Sequence, residues 1–256
     1  MPFKKIILLA GEWDTTAVVY NFLSSHYQVE RVIIEAPVQR KEFLKKRIRK
    51  LGWFRVAGQV LFQLIIGKPL KKYSSKRIAG IFRKYELNDH AIPEEVQNRV
   101  PSVNSKECRD TLTDINPDLV IVHGTRIISQ KILETIPATF INVHAGITPR
   151  YRGSHGAYWA IANGDKENCG VTVHLVDKGI DTGNILGQAI IPYDKKDNFA
   201  TYPYLQLAEG LILLKKIVDD FDSREKNVVS RTADSGLWHH PTLWGYIWKR
   251  ITKGVK

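Results

Sequence analysis

Residues 4–35 read KKIILLAGEWDTTAVVYNFLSSHYQVERVIIE: an apolar run, an amphipathic segment and a second apolar run. The runs at 4–11 and 29–35 are typical of buried strands, and the apolar positions between them recur with helical spacing. Thr15 or Asp14 is the candidate N-cap of that helix. A strand, a helix and a strand within about 30 residues form a βαβ unit. This unit predicts a parallel sheet with a right-handed crossover.

The same alternation resumes after residue 100. Ser105 is predicted to cap a helix, because serine is a favoured N-cap. The predicted strands are 118–122, 140–144, 170–176 and 184–191, and the predicted helices are 106–115, 155–163 and 203–220. We therefore expect an α/β fold, a Rossmann-like and mostly parallel sheet with flanking helices. The expected main domain is 1–220, and 221–256 is a short C-terminal extension.

Positive charge is concentrated in one stretch of the chain. The net charge is +12, but Gln39 to Lys84 contains fifteen Lys or Arg and one Glu, which leaves −2 on the other 210 residues. Apolar positions at helical spacing in this stretch predict a basic helical insertion over 38–90. A near-neutral domain with one basic insertion argues against nucleic acid as the main partner. RNA binding stays open as an alternative, because Trp53, Phe54 and other aromatic residues lie among the basic ones.

Composition excludes several classes of protein. With 43% hydrophobic and 25% charged residues, the chain has the composition of a folded globular protein. Its two cysteines rule out a disulfide scaffold and show no metal-ligand spacing. The first apolar run is too short for a signal peptide, and no stretch reaches the length of a spanning helix. We expect a cytoplasmic protein. The turn after the first strand, GEWDTT, matches neither GxGxxG nor a Walker A loop.

Two segments carry candidate chemistry. Asn142 and His144 alternate on a predicted strand, so they share a face at the strand's carboxyl end, where open α/β sheets place their sites. The loop Asp177–Gly183 could aim a carboxylate at that place. The alternatives are satisfied polar residues at a strand end and a plain hairpin with Asp as turn former. A His and an Asp without a nucleophile fit general acid–base work or oxyanion stabilisation.

The remaining histidines give weaker signals. His155 and His174 are isolated in the sequence, which predicts core positions or supporting roles beside a site. His239 and His240 are predicted to lie at the surface, because they have no partner at metal-ligand spacing.

The segments FINVHAGITPRYRG (140–153) and GVTVHLVDKGIDTGNIL (170–186) resemble the 10-formyltetrahydrofolate-dependent formyltransferases. That family includes the glycinamide ribonucleotide, methionyl-tRNA and sugar N-formyltransferases. Its Asn-x-His strand, Pro-x-x-x-Gly loop and Asp-x-Gly loop are matched in order by Asn142 and His144, by Pro149–Gly153, and by Asp181. The loop Gly124–Ser129 resembles the one that holds the pterin.

The resemblance implies a role for each matching residue. Asn142 and His144 would hydrogen-bond the formyl oxygen, and Asp181 would keep His144 charged and help remove the proton of the attacking amine. The formyl donor would be 10-formyltetrahydrofolate, and no metal is implied. The implied pterin contacts are Arg126, Ile127, Ile128, Val176, Asp177, Lys178 and Gly179. The implied contacts to the amine substrate are Gly11, Thr15, Tyr151 and Arg152.

The amine itself is less well specified. The GEWDTT turn lacks the glycine-rich phosphate loop of the glycinamide ribonucleotide enzymes. Gly146-Ile-Thr-Pro149 stands where the methionyl-tRNA enzymes carry SLLP, and only 35 residues follow Phe221. The phrase HAGITPRYRG is most similar to the sugar N-formyltransferases. This implies a small-molecule amine, the amino group of a nucleotide-linked amino sugar, destined for surface polysaccharide. The open alternatives are aminoacyl-tRNA, glycinamide ribonucleotide, an RNA-binding relative and a formyl-folate hydrolase.

The tail offers a second basic amphipathic segment. Pro241 suits a first helical position. The apolar residues Leu243, Trp244, Ile247, Trp248 and Ile251 then share one helical face, beside Lys249, Arg250 and Lys253. Two such segments predict peripheral contact with an anionic membrane, at its inner face. The competing expectation is that the segments pack together or across a homodimer.

Overall fold

A seven-stranded sheet forms the centre of the molecule in the computed structural model, which describes residues 3–221 and 234–256. Its strands are β1 Ile6–Gly11, β2 Val29–Glu35, β3 Gln97–Val100, β4 Leu119–His123, β5 Thr139–His144, β7 Gly170–Leu175 and β8 Ile185–Ile190. Two short strands, β6 Arg152–Gly153 and β9 Leu237–Trp238, pair separately.

The strand order is β3-β2-β1-β4-β5-β7-β8. The pairings from β3 to β5 are parallel, and those of β5 with β7 and β7 with β8 are antiparallel. This confirms the expected Rossmann-like, mostly parallel sheet. Strand β3 was not predicted, because its sequence QNRV is polar and only Val100 is buried. It is an edge strand, and no apolar pattern in the sequence indicates its pairing with β2.

Helices cover both faces of the sheet. They are α1 Thr16–Ser24, α6 Lys106–Ile115, α7 Gln130–Leu133, α8 Gly156–Ala162 and α9 Tyr202–Asp219. The cap of α6 is confirmed, since the Ser105 side chain accepts a hydrogen bond from the Cys108 N–H. Thr15 is the N-cap residue of α1, as predicted, but its side chain makes no capping hydrogen bond. Its hydroxyl instead lies 2.9 Å from His123 Nε2.

The insertion is helical, as predicted. It comprises α2 Arg40–Leu51, α3 Trp53–Phe62, a π-helical turn Gln63–Gly67, α4 Lys68–Tyr73 and α5 Ser75–Lys84. The tail forms α10 Leu243–Lys253, which packs against α3. Thr242, whose hydroxyl accepts from the Gly245 N–H, is the N-cap of α10, so Pro241 precedes the helix rather than opening it. Part of the predicted extension, residues 222–233, lies outside the described residues.

An aromatic cluster joins the insertion and the tail to the main domain. Phe62 of α3 contacts Phe199 and Tyr246, with ring centroids 4.8 and 5.1 Å apart, and Tyr158 of α8 stacks on Tyr246. Phe62, Tyr158 and Tyr246 are each at most 2% exposed. The insertion is therefore part of one packed structure with the sheet. Among residues 3–221 and 234–256, no helix combines the length and the apolar character needed to cross a bilayer.

An ion pair with one buried partner fixes α5 to the loop before α9. Arg77 donates through Nε and Nη2 to the two carboxylate oxygens of Asp197, at 2.8 and 2.7 Å. The Asp197 side chain is 0% exposed and that of Arg77 is 30% exposed. A bidentate pair of this kind orients both groups, because the guanidinium fork matches the carboxylate.

Asp197→Ala should destabilise the protein by about 3 kcal/mol, because it removes both short bonds to Arg77 and leaves only the longer contact with Asp194. Urea unfolding would measure the change in the free energy of unfolding. The control is Asp194→Ala, which removes a 54%-exposed carboxylate 3.4 Å from the same Arg77 and should cost less than about 1 kcal/mol. Equal effects of the two substitutions would contradict this account of the anchor.

Candidate active site

Asn142 and His144 lie at the carboxyl end of β5, beside a cavity of about 470 Å³. The other walls are the loop after β4 (124–128), the loop between β7 and β8 (176–181), and the pair Gly153 and Ser154. Asp181 comes from the second of these loops, so Asn142, His144 and Asp181 meet at one place. The structure thus brings together the three residues that the sequence singled out.

His144 is 5% exposed and both of its ring nitrogens face acceptors. Nε2 lies 2.8 Å from the Tyr151 carbonyl oxygen, and Nδ1 lies 3.3 Å from Asp181 Oδ1. A carbonyl can only accept, so Nε2 carries a hydrogen. If the ring were neutral, the lone pair of Nδ1 would face the Asp181 carboxylate, and the two would repel each other. Burial alone opposes the charged ring, but the Asp181 carboxylate outweighs it and raises the pKa of His144. The geometry therefore favours an imidazolium.

Gly146 allows this arrangement. A Cβ at this position would lie 2.2 Å from the Tyr151 carbonyl oxygen and 2.8 Å from His144 Nε2. The space beside Gly146 is thus taken by the backbone that holds His144.

Asn142 is held by a histidine from the neighbouring strand. His174 lies opposite Asn142 in the antiparallel pairing of β5 with β7. Its Nδ1 donates to the Leu175 carbonyl oxygen at 2.8 Å, and its Nε2 accepts from Asn142 Nδ2 at 3.1 Å. One N–H of the Asn142 amide is used in this bond and the other remains for the cavity. The supporting role expected for His174 is confirmed as a contact, which only the strand register reveals.

Asp181 is held in a left-handed conformation, with φ of 51°. Its Oδ2 accepts from the Gly153 N–H at 2.9 Å, and its Oδ1 lies 3.7 Å from His174 Nε2. Burial would raise the pKa of this carboxyl, but the charge of His144 and the hydrogen bond from the Gly153 N–H lower it well below its usual range. Asp181 is therefore an anion across the range in which His144 is charged.

A buried glutamate, which the sequence analysis missed, supports the loop after β4. Glu35 ends β2 and is 4% exposed. Its two oxygens accept from the backbone N–H groups of Arg126 and Val103, at 2.6 and 3.1 Å. The signal available in the sequence was a charged residue at the end of the apolar run VERVIIE. The contact fixes the position of the 124–128 loop at the cavity.

The predicted pterin contacts divide into two groups. Arg126, Ile127, Ile128, Val176, Asp177 and Gly179 line the cavity. The Arg126 side chain turns away, because its guanidinium donates to the carbonyl oxygens of Ala36 and Pro101. Lys178 is exposed and lies outside the cavity lining.

The predicted substrate contacts lie apart from this cavity. Thr15 lines a second cavity, and Gly11 is buried beneath Trp13 and the Gly124 carbonyl. Tyr151 is 2% exposed and its hydroxyl donates to Asp165. Arg152 donates to the Ile180 carbonyl oxygen at 3.1 Å, which ties the 150s loop to the loop carrying Asp181. Their roles toward a substrate stay predictions.

The second cavity, of about 560 Å³, adjoins the first. Ser154 and His239 line the first cavity, and their neighbours His155 and His240 line the second. Its other lining residues include Glu12, Asp14, Gln63, Lys71, Phe199, Tyr204 and the 61%-exposed Trp13. His240 was predicted at the surface, but it is partly buried and lies 3.0 Å from His155 Nε2. Among the described residues, no cluster of three His, Cys, Asp or Glu is placed to hold a metal ion.

Replacing Asp181 by Asn should lower the pKa of His144 below about 6.5, because burial is then no longer offset. In the native protein the pair stabilises the fold between about pH 4 and 6.5, since the Asp181 pKa is lowered and the His144 pKa is raised. That contribution is lost as pH rises through the His144 pKa or falls through the Asp181 pKa. NMR titration of the imidazole would measure the shift.

The matched control for this titration is Asp177→Asn. Asp177 lines the same cavity but accepts from the Gly179 N–H and the Thr182 hydroxyl. The Asp177→Asn substitution should leave the pKa of His144 unchanged. If Asp181→Asn also leaves the pKa of His144 unchanged, the ion pair is refuted.

The sequence is similar to known formyltransferases. The sequence model described as formyl transferase matches residues 68–209. A methionyl-tRNA formyltransferase of Finegoldia magna is 34% identical over 143 residues, which are 54% of this chain and 46% of the relative. The chain thus spans about half the length of the curated relatives it matches.

Solved structures share the fold. A phosphoribosylglycinamide formyltransferase from Anaplasma phagocytophilum has a TM-score of 0.55 at 17% identity, covering 91% of this chain and 96% of that one. A 4-N formyltransferase from Francisella tularensis has a TM-score of 0.53 at 17% identity, covering 92% and 76%. Because the family model matches more than half of the sequence, including β5 and the loop that carries Asp181, this chain belongs to the formyl transferase family.

Proposed function

We propose that residues 1–220 catalyse transfer of a formyl group from 10-formyltetrahydrofolate to a primary amine. The observation that carries this proposal is the buried His144, charged through its contact with Asp181 and placed beside a free N–H of Asn142. Two donors next to a carboxylate suit a reaction in which negative charge develops on an oxygen while an amine loses a proton.

The two donors act on the formyl oxygen. The cationic His144 and the remaining Asn142 N–H stabilise the negative charge that develops there as the amine attacks the formyl carbon, and His144 Nδ1–H is shared between that oxygen and Asp181 Oδ1, 3.3 Å away. Both groups are held before the reaction, His144 by Tyr151 and Asn142 by His174, so little reorganisation is needed. The formyl donor, when bound, supplies a carbon already activated by its nitrogen leaving group.

Asp181 handles the proton of the amine. A new C–N bond forms at the formyl carbon, the bond to the folate nitrogen breaks, and one amine proton must reach that nitrogen. The carboxylate beside the reacting atoms is that of Asp181, and His144 keeps it ionised. It accepts the amine proton and returns it to the leaving nitrogen, directly or through water.

The first cavity fits the donor. Its volume of about 470 Å³ lies within the range of about 300–1,000 Å³ found for small-molecule sites. Val122, Ile128, Val143 and Val176 supply apolar walls for a flat ring. The loop backbone, fixed by Glu35, supplies hydrogen-bonding groups along its edge.

The second cavity supports an amino sugar as the acceptor, in keeping with the sequence resemblance to the sugar N-formyltransferases. It combines aromatic rings, of Trp13, Phe199 and Tyr204, with neutral hydrogen-bonding groups and with the charged side chains of Glu12, Asp14 and Lys71. Burial lowers the pKa of His155 well below its usual value and that of His240 to about 4, so both rings are neutral. Sugar C–H faces pack on aromatic rings, and hydroxyls bond to neutral groups. We propose that the sugar is nucleotide-linked.

Substituting the central residues should remove transfer with folding intact. Asn142→Ala should lower kcat by about 10²–10³, the usual effect of losing one oxyanion donor. His144→Ala and Asp181→Asn should lower it at least as much, while substrate binding is retained. The formylated product is measured by mass spectrometry. Lys166→Ala, a change at an exposed residue that lines neither cavity, is the control.

More than a few per cent of native turnover in either His144→Ala or Asp181→Asn would refute the proposed roles. Turnover of the donor without any amine would indicate a hydrolase instead.

A reduced 10-formylfolate analogue should raise the melting temperature, because it binds only the folded state. At about 100 times Kd the gain is about 2.7 kcal/mol. A panel of nucleotide-linked amino sugars, glycinamide ribonucleotide and methionyl-tRNA, each incubated with the donor, would then identify the acceptor. Formylation of a sugar amine is the expected result. Formylation of methionyl-tRNA alone would overturn the proposed substrate while preserving the proposed chemistry.

A further inference from the structure

Large apolar side chains are exposed on the insertion and the tail. Six of them form what we call the basic aromatic face: Phe43, Ile48, Trp53, Phe54, Trp248 and Ile251. Their exposed fractions run from 44% for Ile48 to 76% for Ile251. None is needed for the aromatic cluster that attaches the insertion to the main domain.

The face is continuous across α3 and α10. The Phe54 ring stacks on Trp244 with centroids 4.4 Å apart, and Trp53 contacts Phe54 at 5.7 Å. Trp248 follows Trp244 one turn later on α10. Gly58 allows this packing, because a Cβ there would lie 2.3 Å from the Trp244 ring. The two amphipathic segments therefore pack on each other, as one expectation held, yet they leave a joint apolar surface exposed.

Positive charge borders this surface. Helix α2 packs on α3, contains seven Lys or Arg and one Glu, and has no buried residue. Arg250 and Lys253 extend the charge along α10. The face thus presents indole and aliphatic groups among nine cationic side chains. Such a surface requires a partner that is both apolar and anionic.

We propose that the basic aromatic face docks on an anionic phospholipid bilayer, lying in its interface. Trp and aliphatic groups enter the boundary between headgroups and acyl chains, and Lys and Arg contact the anionic headgroups. A second copy of the face is a poor partner, because a twofold contact would set two α2 helices of like charge together. RNA would stack on the aromatic rings but offers nothing to Ile48 or Ile251.

The same elements reach the second cavity. Gln59 of α3 donates to the His240 carbonyl oxygen at 2.8 Å, and Gln63 lies 2.9 Å from His240 Nδ1. Gln63 and His240 line that cavity. Docking would therefore hold the cavity close to the membrane surface, whatever amine it accepts.

The test is co-flotation with vesicles made of equal parts phosphatidylcholine and phosphatidylglycerol, against pure phosphatidylcholine. The native protein should float with the anionic vesicles at an ionic strength of about 0.01 M and be released at about 1 M, where the Debye length is ~3 Å. Lys45→Glu with Lys50→Glu should lower partitioning at least about tenfold. Trp248→Ala and Ile251→Ser should each lower it several-fold without changing the salt response.

Matched controls separate the face from net charge and from general hydrophobicity. Lys131→Glu with Lys166→Glu makes the same change of charge at exposed positions outside the insertion and the tail. Ile190→Ser removes a 51%-exposed apolar group from β8. Both should bind vesicles as the native protein does. The proposal is overturned if the native protein stays unbound at low salt, or if the controls lose as much binding as the face variants. It is also overturned if tRNA displaces the protein from the vesicles, or if the protein sediments as a dimer that shields Trp248 from a quencher.

Discussion

The contact between His144 and Asp181 is the constraint on which the site depends. A charged imidazole at 5% exposure is costly unless every proton it carries has an acceptor. Asp181 faces one nitrogen, and the Tyr151 carbonyl faces the other. These two partners come from different loops, so the 150s loop and the loop between β7 and β8 must both reach the end of β5.

Several otherwise unconnected features follow from that requirement. Gly146 is needed because the Tyr151 carbonyl passes against its Cα. Gly153 donates its N–H to Asp181, and Arg152 donates to Ile180, so the two loops are bonded to each other. The tail also holds the 150s loop, because β9 pairs with β6 in that loop. The short strand pair therefore stabilises the segment that carries the acceptor for His144.

The insertion has two faces with different surroundings. Its inner face, through Phe62 and Ile81, is buried with Tyr158 and Phe199 and supplies Gln63 and Lys71 to the second cavity. Its outer face retains exposed Trp and Ile among Lys and Arg. The inner face explains why a strongly basic segment packs stably on a near-neutral domain. The outer face is the one proposed to meet a partner outside the chain.

The sequence by itself determined the α/β class, the strand that carries Asn142 and His144, the loop that carries Asp181, and the helical insertion. These follow from local periodicity and short motifs, which reside in neighbouring residues. Only the tertiary structure decided which partners these residues meet. The contact of His174 with Asn142 depends on the register of β5 and β7, and that of Glu35 with the 124–128 loop crosses 91 residues of chain. The burial of His240 depends on α10 packing against α3. Such contacts leave no local pattern, because they are set by how the sheet and its helices come together.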